Sequence, residues 1–211
     1  MASAIIHLAV AKVLEDNLHI ENKKDYYLGS IAPDISKQIG QSKQKSHFLY
    51  NTKANVPNIK MFTDKYKEFK NNSFELGYYI HLVTDKLWFD EFFETIVCGQ
   101  SLRLLDGTII QTTQQEIQNI LYSDYSNLNI QIIDEYQMDL SLFYEDFKIP
   151  KTKITEIPIE KLNILIDKMG IIIENSKNNK NYVCEISEIK NFIEQTKIYI
   201  LEKLELNETI I

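Results

Sequence analysis

Hydrophobic positions along this chain fall in blocks at helical spacing, separated by sparse Gly and Pro punctuation. Residues 4–15 read as an amphipathic helix, and residues 25–32 as a short one that Pro33 ends. From Ile35 to His47 the chain is polar and reads as irregular, a natural rim for a pocket. Residues 57–70 open at Pro57, a residue well tolerated at a helix start, and read as a helix. A central helix follows at 74–98, with turns marked by Gly99 and by Asp106-Gly107. Residues 112–137 carry Ile117, Ile120, Leu121, Leu128, Ile132 and Ile133 at helical spacing. Pro150 and Pro158 bracket a linker, and helices at about 158–175 and 185–206 flank an Asn/Lys-rich loop at 176–181. The pattern predicts an all-α fold, one domain over 1–211 built as a helical bundle. Its candidate chemistry lies in about 1–140, with the C-terminal helices at about 150–211.

The central helix carries the first chemical signal. Within Leu76-Gly77-Tyr78-Tyr79-Ile80-His81-Leu82-Val83-Thr84-Asp85-Lys86-Leu87-Trp88, His81 and Asp85 stand four residues apart. That spacing stacks them one turn apart on the same helix face. An unpaired carboxylate on an apolar face costs several kcal/mol (~) or loses its charge, and a metal ion satisfies both groups at once. Gly77 sits one further turn back on the same stripe; a mid-helix glycine costs about 1 kcal/mol against alanine and lets something approach the backbone closely. Gly77 and Tyr78 are therefore candidate pocket-lining residues. The metal-free alternative is an ordinary buried hydrogen bond between His81 and Asp85.

One helix cannot close a metal site, because zinc takes about four ligands. The chain holds four histidines. His7 lies in the apolar stretch Ala4-Ile5-Ile6-His7-Leu8-Ala9-Val10-Ala11, where a satisfied core histidine is the rival reading. His47 lies in Ser46-His47-Phe48, and Pro33 presents Asp34 on a rigid turn. His19 has no such context and reads as a surface or packing residue. Trp88, Tyr27, Tyr78 and Phe48 read more readily as core than as a substrate cage.

In that order, the early histidine, Gly-x-x-x-Pro-Asp, Ser-His-Phe and Gly-Tyr-x-x-His-x-x-x-Asp-x-x-Trp together resemble the zinc-dependent phospholipase C family, which shares its fold with single-strand-specific zinc nucleases. The resemblance covers roughly residues 1–100. It implies that Asp34, His47, His81 and Asp85 hold one metal ion, and that Asp85 bridges to a second ion bound with His7. It further implies zinc as the most suitable of the divalent transition metals, one ion or two, and phospholipids or phosphodiesters as the substrate class. The chain departs from the family at two points. No histidine follows His81, so a third metal centre cannot be built in the family's way. Six residues precede His7, which separates it from the usual amine ligand unless the N-terminal segment folds back or Asp124 substitutes.

Composition narrows the partners. At 211 residues the chain can bury a core without disulfides, and Cys98 and Cys184 read as free thiols in a reducing compartment. No signal-peptide pattern and no apolar run of about 18 residues occurs, which predicts a cytoplasmic protein without a transmembrane segment. A formal charge of −7 with Arg103 as the single arginine argues against a nucleic-acid polymer as partner. Lys37, Lys43 and Lys45 cluster before His47, either as a solvated loop or as cations to meet a phosphate. The expected function is a metal-dependent hydrolase acting on a small phosphoester or lipid-headgroup substrate through an activated water, with Asp34 orienting or deprotonating that water. The alternative is a metal-stabilised binding protein without turnover.

Overall fold

The computed structural model describes residues 2–174 and 181–206. At its centre lies α1 (Ala4–Leu14), started by Ser3, whose Oγ accepts from the Ile6 N–H at 3.2 Å. The sequence predicts an amphipathic helix here, but Ile5, Ile6, Leu8, Val10 and Leu14 are buried around its circumference, and only Ala4, Lys12 and Val13 reach intermediate exposure. The reason is its neighbours: α2 (Lys23–Ile31), α6 (Ser73–Leu87), α8 (Gln114–Glu135) and α10 (Ile186–Leu206) all pack against it.

Two features of α2 and α6 set the geometry of the site. Asn22 and Asn72 cap the two helices by accepting from the Asp25 and Glu75 N–H groups, each at 3.0 Å. The helices then run parallel in a constant register: the Asn22 N–H donates to Ser73 Oγ, and His81 meets the Ser30 carbonyl, both pairs 51 residues apart in sequence. Close approach depends on glycines. A Cβ on Gly77 would stand 2.1 Å from the Tyr26 carbonyl oxygen, and one on Gly29 2.1 Å from that of Phe74. What comes close to Gly77 is thus the α2 backbone.

The predicted polar rim at 35–47 contains two single-turn helices, α3 (Ile35–Gln38) and α4 (Lys43–Ser46), preceded by a 3₁₀ turn over Ala32–Asp34. The predicted helix at 57–70 is shorter, α5 (Ile59–Lys65), and Pro57 lies before its Asn58 cap. The central helix continues beyond α6 as a π-helical turn, Trp88–Phe92, and a last turn, α7 (Phe93–Ile96). A small antiparallel meander follows: β1 (Val97–Cys98), β2 (Ser101–Arg103) and β3 (Ile109–Gln111), turned at Gly99 (φ +59°) and Gly107 (φ +84°). Strands of two or three residues are too short to declare an alternating pattern, so only their turns are legible in the sequence.

Residues 151–158 form a packed strap in place of the expected linker. Glu75 Oε1 accepts from the Lys153 N–H at 2.6 Å, Tyr66 donates to Glu156, and Ile154 and Ile157 are buried. α9 (Asn163–Glu174) and α10 complete the fold, and the predicted loop at 176–181 falls, except for Asn181, outside the described residues. Buried hydrophobic side chains form one contiguous cluster from Ala2 to Leu204. No helix among the described residues is long and apolar enough to cross a membrane.

Candidate metal centre

Five side chains from four parts of the chain converge beneath the 3₁₀ turn at Asp34. α1 brings His7, the turn brings Asp34, the end of α4 brings His47, and α6 brings His81 with Asp85. His7 and His81 are 0% exposed, His47 and Asp85 1%, and Asp34 8%, so only Asp34 keeps a measurable surface. His47 Nε2 lies 3.2 Å from His81 Nε2, 3.4 Å from Asp34 Oδ1 and 3.6 Å from Asp85 Oδ2, and His81 Nε2 lies 3.7 Å from the last atom. Ligands about 2.0–2.2 Å from a tetrahedral ion stand roughly 3.3–3.5 Å from each other. These four separations are near the edge length of such a polyhedron, and they centre on His47 Nε2.

His81 and His47 are each aimed by the other ring nitrogen. His81 Nδ1 is 2.8 Å from the Ser30 carbonyl, a group that only accepts, so Nδ1 carries the proton. Burial and the adjacent His7 hold the His81 pKa well below the usual histidine range, leaving Nε2 with a lone pair. Ser46 Oγ lies 2.9 Å from His47 Nδ1, and the Ser46 carbonyl is held by the Tyr78 hydroxyl. Phe48 immediately follows with φ +53°, a left-handed conformation that a bulky residue keeps only when its surroundings enforce it. Its ring is packed edge-on to Phe62 at 5.5 Å, which pins the backbone beside His47.

Asp85 faces two ways. Oδ2 looks toward His47 and His81, and Oδ1 lies 3.4 Å from His7 Nε2 and accepts from the Ala2 N–H at 3.3 Å. The chain at Ala2 is therefore folded back over this carboxylate. His7 stacks on His81 with ring centroids 3.8 Å apart. Both His7 ring nitrogens and Asp85 Oδ2 are buried without a hydrogen-bond partner among the described residues. Such orphans are rare in folded chains, and a cation would satisfy Asp85 Oδ2 or one His7 nitrogen without reaching both nitrogens of the same ring. Burial alone would raise Asp85, yet His7 and His81 hold it far below the usual carboxylate range. Asp34 behaves likewise: burial acts upward, but His47 and the Lys43 ammonium outweigh it and hold the carboxylate well below its usual range. Two ionised carboxylates, a neutral imidazole and unpaired nitrogens fit a divalent transition metal, and His7/Asp34/His81 and His47/His81/Asp85 are each grouped within 4.8 Å. Without metal, a His47 Nε2–H donating to His81 Nε2 would satisfy that pair and leave His7 unpaired.

Three expectations are corrected. Asp124 is buried on α8, but its oxygens accept from the N–H groups of Tyr182 (2.6 Å), Val183 (3.2 Å) and Cys184 (2.8 Å), a backbone clamp that belongs to neither His/Asp group. Gly77 is covered by the α2 backbone at Tyr26 and Ser30. Tyr78 stacks parallel to Phe62 in the core and supports Ser46. His19 is exposed, and Trp88 is buried against Phe92 and Phe192, as read from the sequence. Sequence reasoning missed Ser30 and the Ala2 backbone because any residue type supplies a carbonyl or an N–H.

Two clefts open beside the site. One of about 260 Å³ reaches Asp34 and is walled by Ile31, Tyr122, Tyr125, Asn129 and Met169. The other, about 820 Å³, runs past Lys43, Phe89, Phe93 and Leu121. Lys37 and Tyr122 belong to both, joined by a 2.7 Å hydrogen bond.

Comparison with known proteins bears on this geometry. Residues 4–88 match the family model of zinc dependent phospholipase C, a segment that contains all five converging side chains. No curated protein and no solved structure matches the chain. The mostly helical fold agrees with that family match, and the match together with the His/Asp groups supports a metal-dependent hydrolase.

Proposed function

Taking the zinc dependent phospholipase C match over residues 4–88 as premise, we propose that this protein hydrolyses phosphoesters, of phosphodiester or phospholipid-like type, with zinc held by Asp34, His47, His81 and Asp85. His7 with Asp85 Oδ1 would take a second ion. When bound, a divalent cation makes water acidic enough to ionise near neutral pH and offsets charge on phosphoryl oxygens. The chain's own residues then have defined tasks. His81, with its proton fixed on Nδ1, presents Nε2 as a ligand at no cost in deprotonation. Asp34, kept ionised, orients the attacking water by accepting its hydrogen bond. Tyr122, Tyr125 and Met169 shield the approach to Asp34 from bulk solvent.

The observation that carries the reading is the position of Asp34, which joins the buried cluster to an open cleft. Catalytic zinc sites keep one position open, whereas structural sites are closed. The near-complete burial of the other four residues favours the second reading, a metal-stapled binding protein. Elemental analysis of untagged protein, beside the His81→Ala/Asp85→Ala double mutant, separates the outcomes when coupled to a phosphomonoester, phosphodiester and phospholipid panel. The expected result is one or two equivalents of zinc and turnover, both lost in the double mutant. Metal without turnover would leave the binding protein; no metal after incubation with zinc, iron and manganese would remove both.

A further inference from the structure

The chain is acidic overall, at −7, but the charged side chains lining the larger cleft are Lys37, Lys43, Lys53 and Glu94, and Glu94 is paired with Lys53. This cleft is a cationic locality on an anionic protein. Lys37 is engaged by Tyr122, to whose hydroxyl it donates and over whose ring it lies at 4.4 Å. Lys43 stands differently. Its ammonium is 3.4 Å from Asp34 Oδ1, the oxygen that also faces His47 at 3.4 Å. Asp34 is its one polar partner among the described residues, so two of its three protons are available to the cleft. The side chain is 24% exposed, enough to reach a ligand and too little to be a freely solvated surface lysine.

Charge counting shows what this position does. With the histidines neutral, as ligation requires, Asp34 and Asp85 exceed Lys43 and the metal-free cluster is net negative. One divalent ion reverses that sign. Resting on the hydrolase reading, we propose that Lys43 is a substrate-binding residue, donating to the anionic phosphoryl oxygens where Asp34 meets the larger cleft, while the organic part of the substrate lies along Phe89, Phe93 and Leu121. A lysine serves here as a fixed point charge, and it supplies positive charge on the side of the site where no further histidines are available to hold a metal.

The test is calorimetric titration of the full chain with inorganic phosphate, zinc-loaded and chelated, for the wild type, Lys43→Gln, Lys43→Arg and the distant Lys60→Gln, with zinc content measured on every sample. Zinc-loaded wild type and Lys60→Gln are expected to bind alike. Lys43→Gln should bind about tenfold or more weakly, the range of one charged hydrogen bond, and Lys43→Arg should recover most of the loss. Chelation should abolish binding. Wild-type affinity in Lys43→Gln, no phosphate binding by the zinc-loaded wild type, or loss of zinc from Lys43→Gln would each overturn the proposal, the last by making Lys43 a support for Asp34. The two claims fail separately. Lys43-dependent phosphate binding without turnover of any phosphoester removes the hydrolase alone; turnover whose KM ignores Lys43→Gln removes the lysine's role alone.

Discussion

The proton on His81 Nδ1 shows how little needs to be specified for a residue to be committed to one task. A backbone carbonyl at Ser30 fixes the tautomer, burial keeps the ring neutral, and Nε2 is left as an acceptor facing another imidazole nitrogen 3.2 Å away. Asp124 is the counterexample: an aspartate on a helix whose oxygens are fully engaged by three N–H groups of residues 182–184. Removing it leaves those donors short of partners, each costing about 1–3 kcal/mol when buried. Asp124→Ala is therefore expected to lower stability by roughly 2–4 kcal/mol in denaturant melts, with zinc content unchanged. A loss of zinc equal to that in His81→Ala would return Asp124 to the ligand set. In sequence the two aspartates look alike. Asp85 is distinguished by its histidine one turn earlier; for Asp124 the partners are backbone amides 58–60 residues away, which no residue type announces.

Among the elements, the α2–α6 pair determines whether the ligands can meet. Its parallel register places Ser30 beside His81, and the close approach at Gly77 keeps it there. Gly77→Ala adds a methyl 2.1 Å from a backbone oxygen, which cannot move aside as a flexible side chain would. Overpacking of this kind costs about 1–3 kcal/mol and outweighs the gain of about 1 kcal/mol in helix propensity. The expected outcome is a lower midpoint in urea together with weaker zinc binding; a more stable variant with normal affinity would show that the helices do not lie this close. The longer helices α1, α2, α6, α8 and α10 were legible to within about two residues at their starts, because long apolar-periodic segments announce themselves, whereas α5 ends and α9 begins about five residues inside the predicted bounds and α3 and α4 fall in a stretch read as irregular. The meander at 97–111 was not, because its strands are only two or three residues long, and the strap at 151–158 was not, because it is held by the tertiary partners Glu75 and Tyr66.

At the scale of the molecule, the proposed ion at the junction of α1, α4 and α6 would tie together parts of the chain that are distant in sequence. Binding to the folded state stabilises it by about 2.7 kcal/mol at a free concentration one hundred times Kd. For a chain of this size that shifts Tm by roughly 5–10 °C. Scanning calorimetry with and without zinc is expected to show that rise in the wild type and none in the His81→Ala/Asp85→Ala protein. An equal rise in both would place the stabilising ion elsewhere. The ligand set was readable because it uses scarce residue types at short spacings, while the clefts were not, being assembled from common residues such as Ile31, Tyr122 and Met169.

Every converging His and Asp lies within residues 4–88, whereas Tyr122, Tyr125 and Met169, which wall the cleft at Asp34, come from later in the chain. The converging His and Asp side chains and part of that cleft wall are thus written in different stretches of the polypeptide. Under the proposed hydrolase reading, substitutions in α8 and α9 would reshape what this cleft admits while the five converging side chains stay in place.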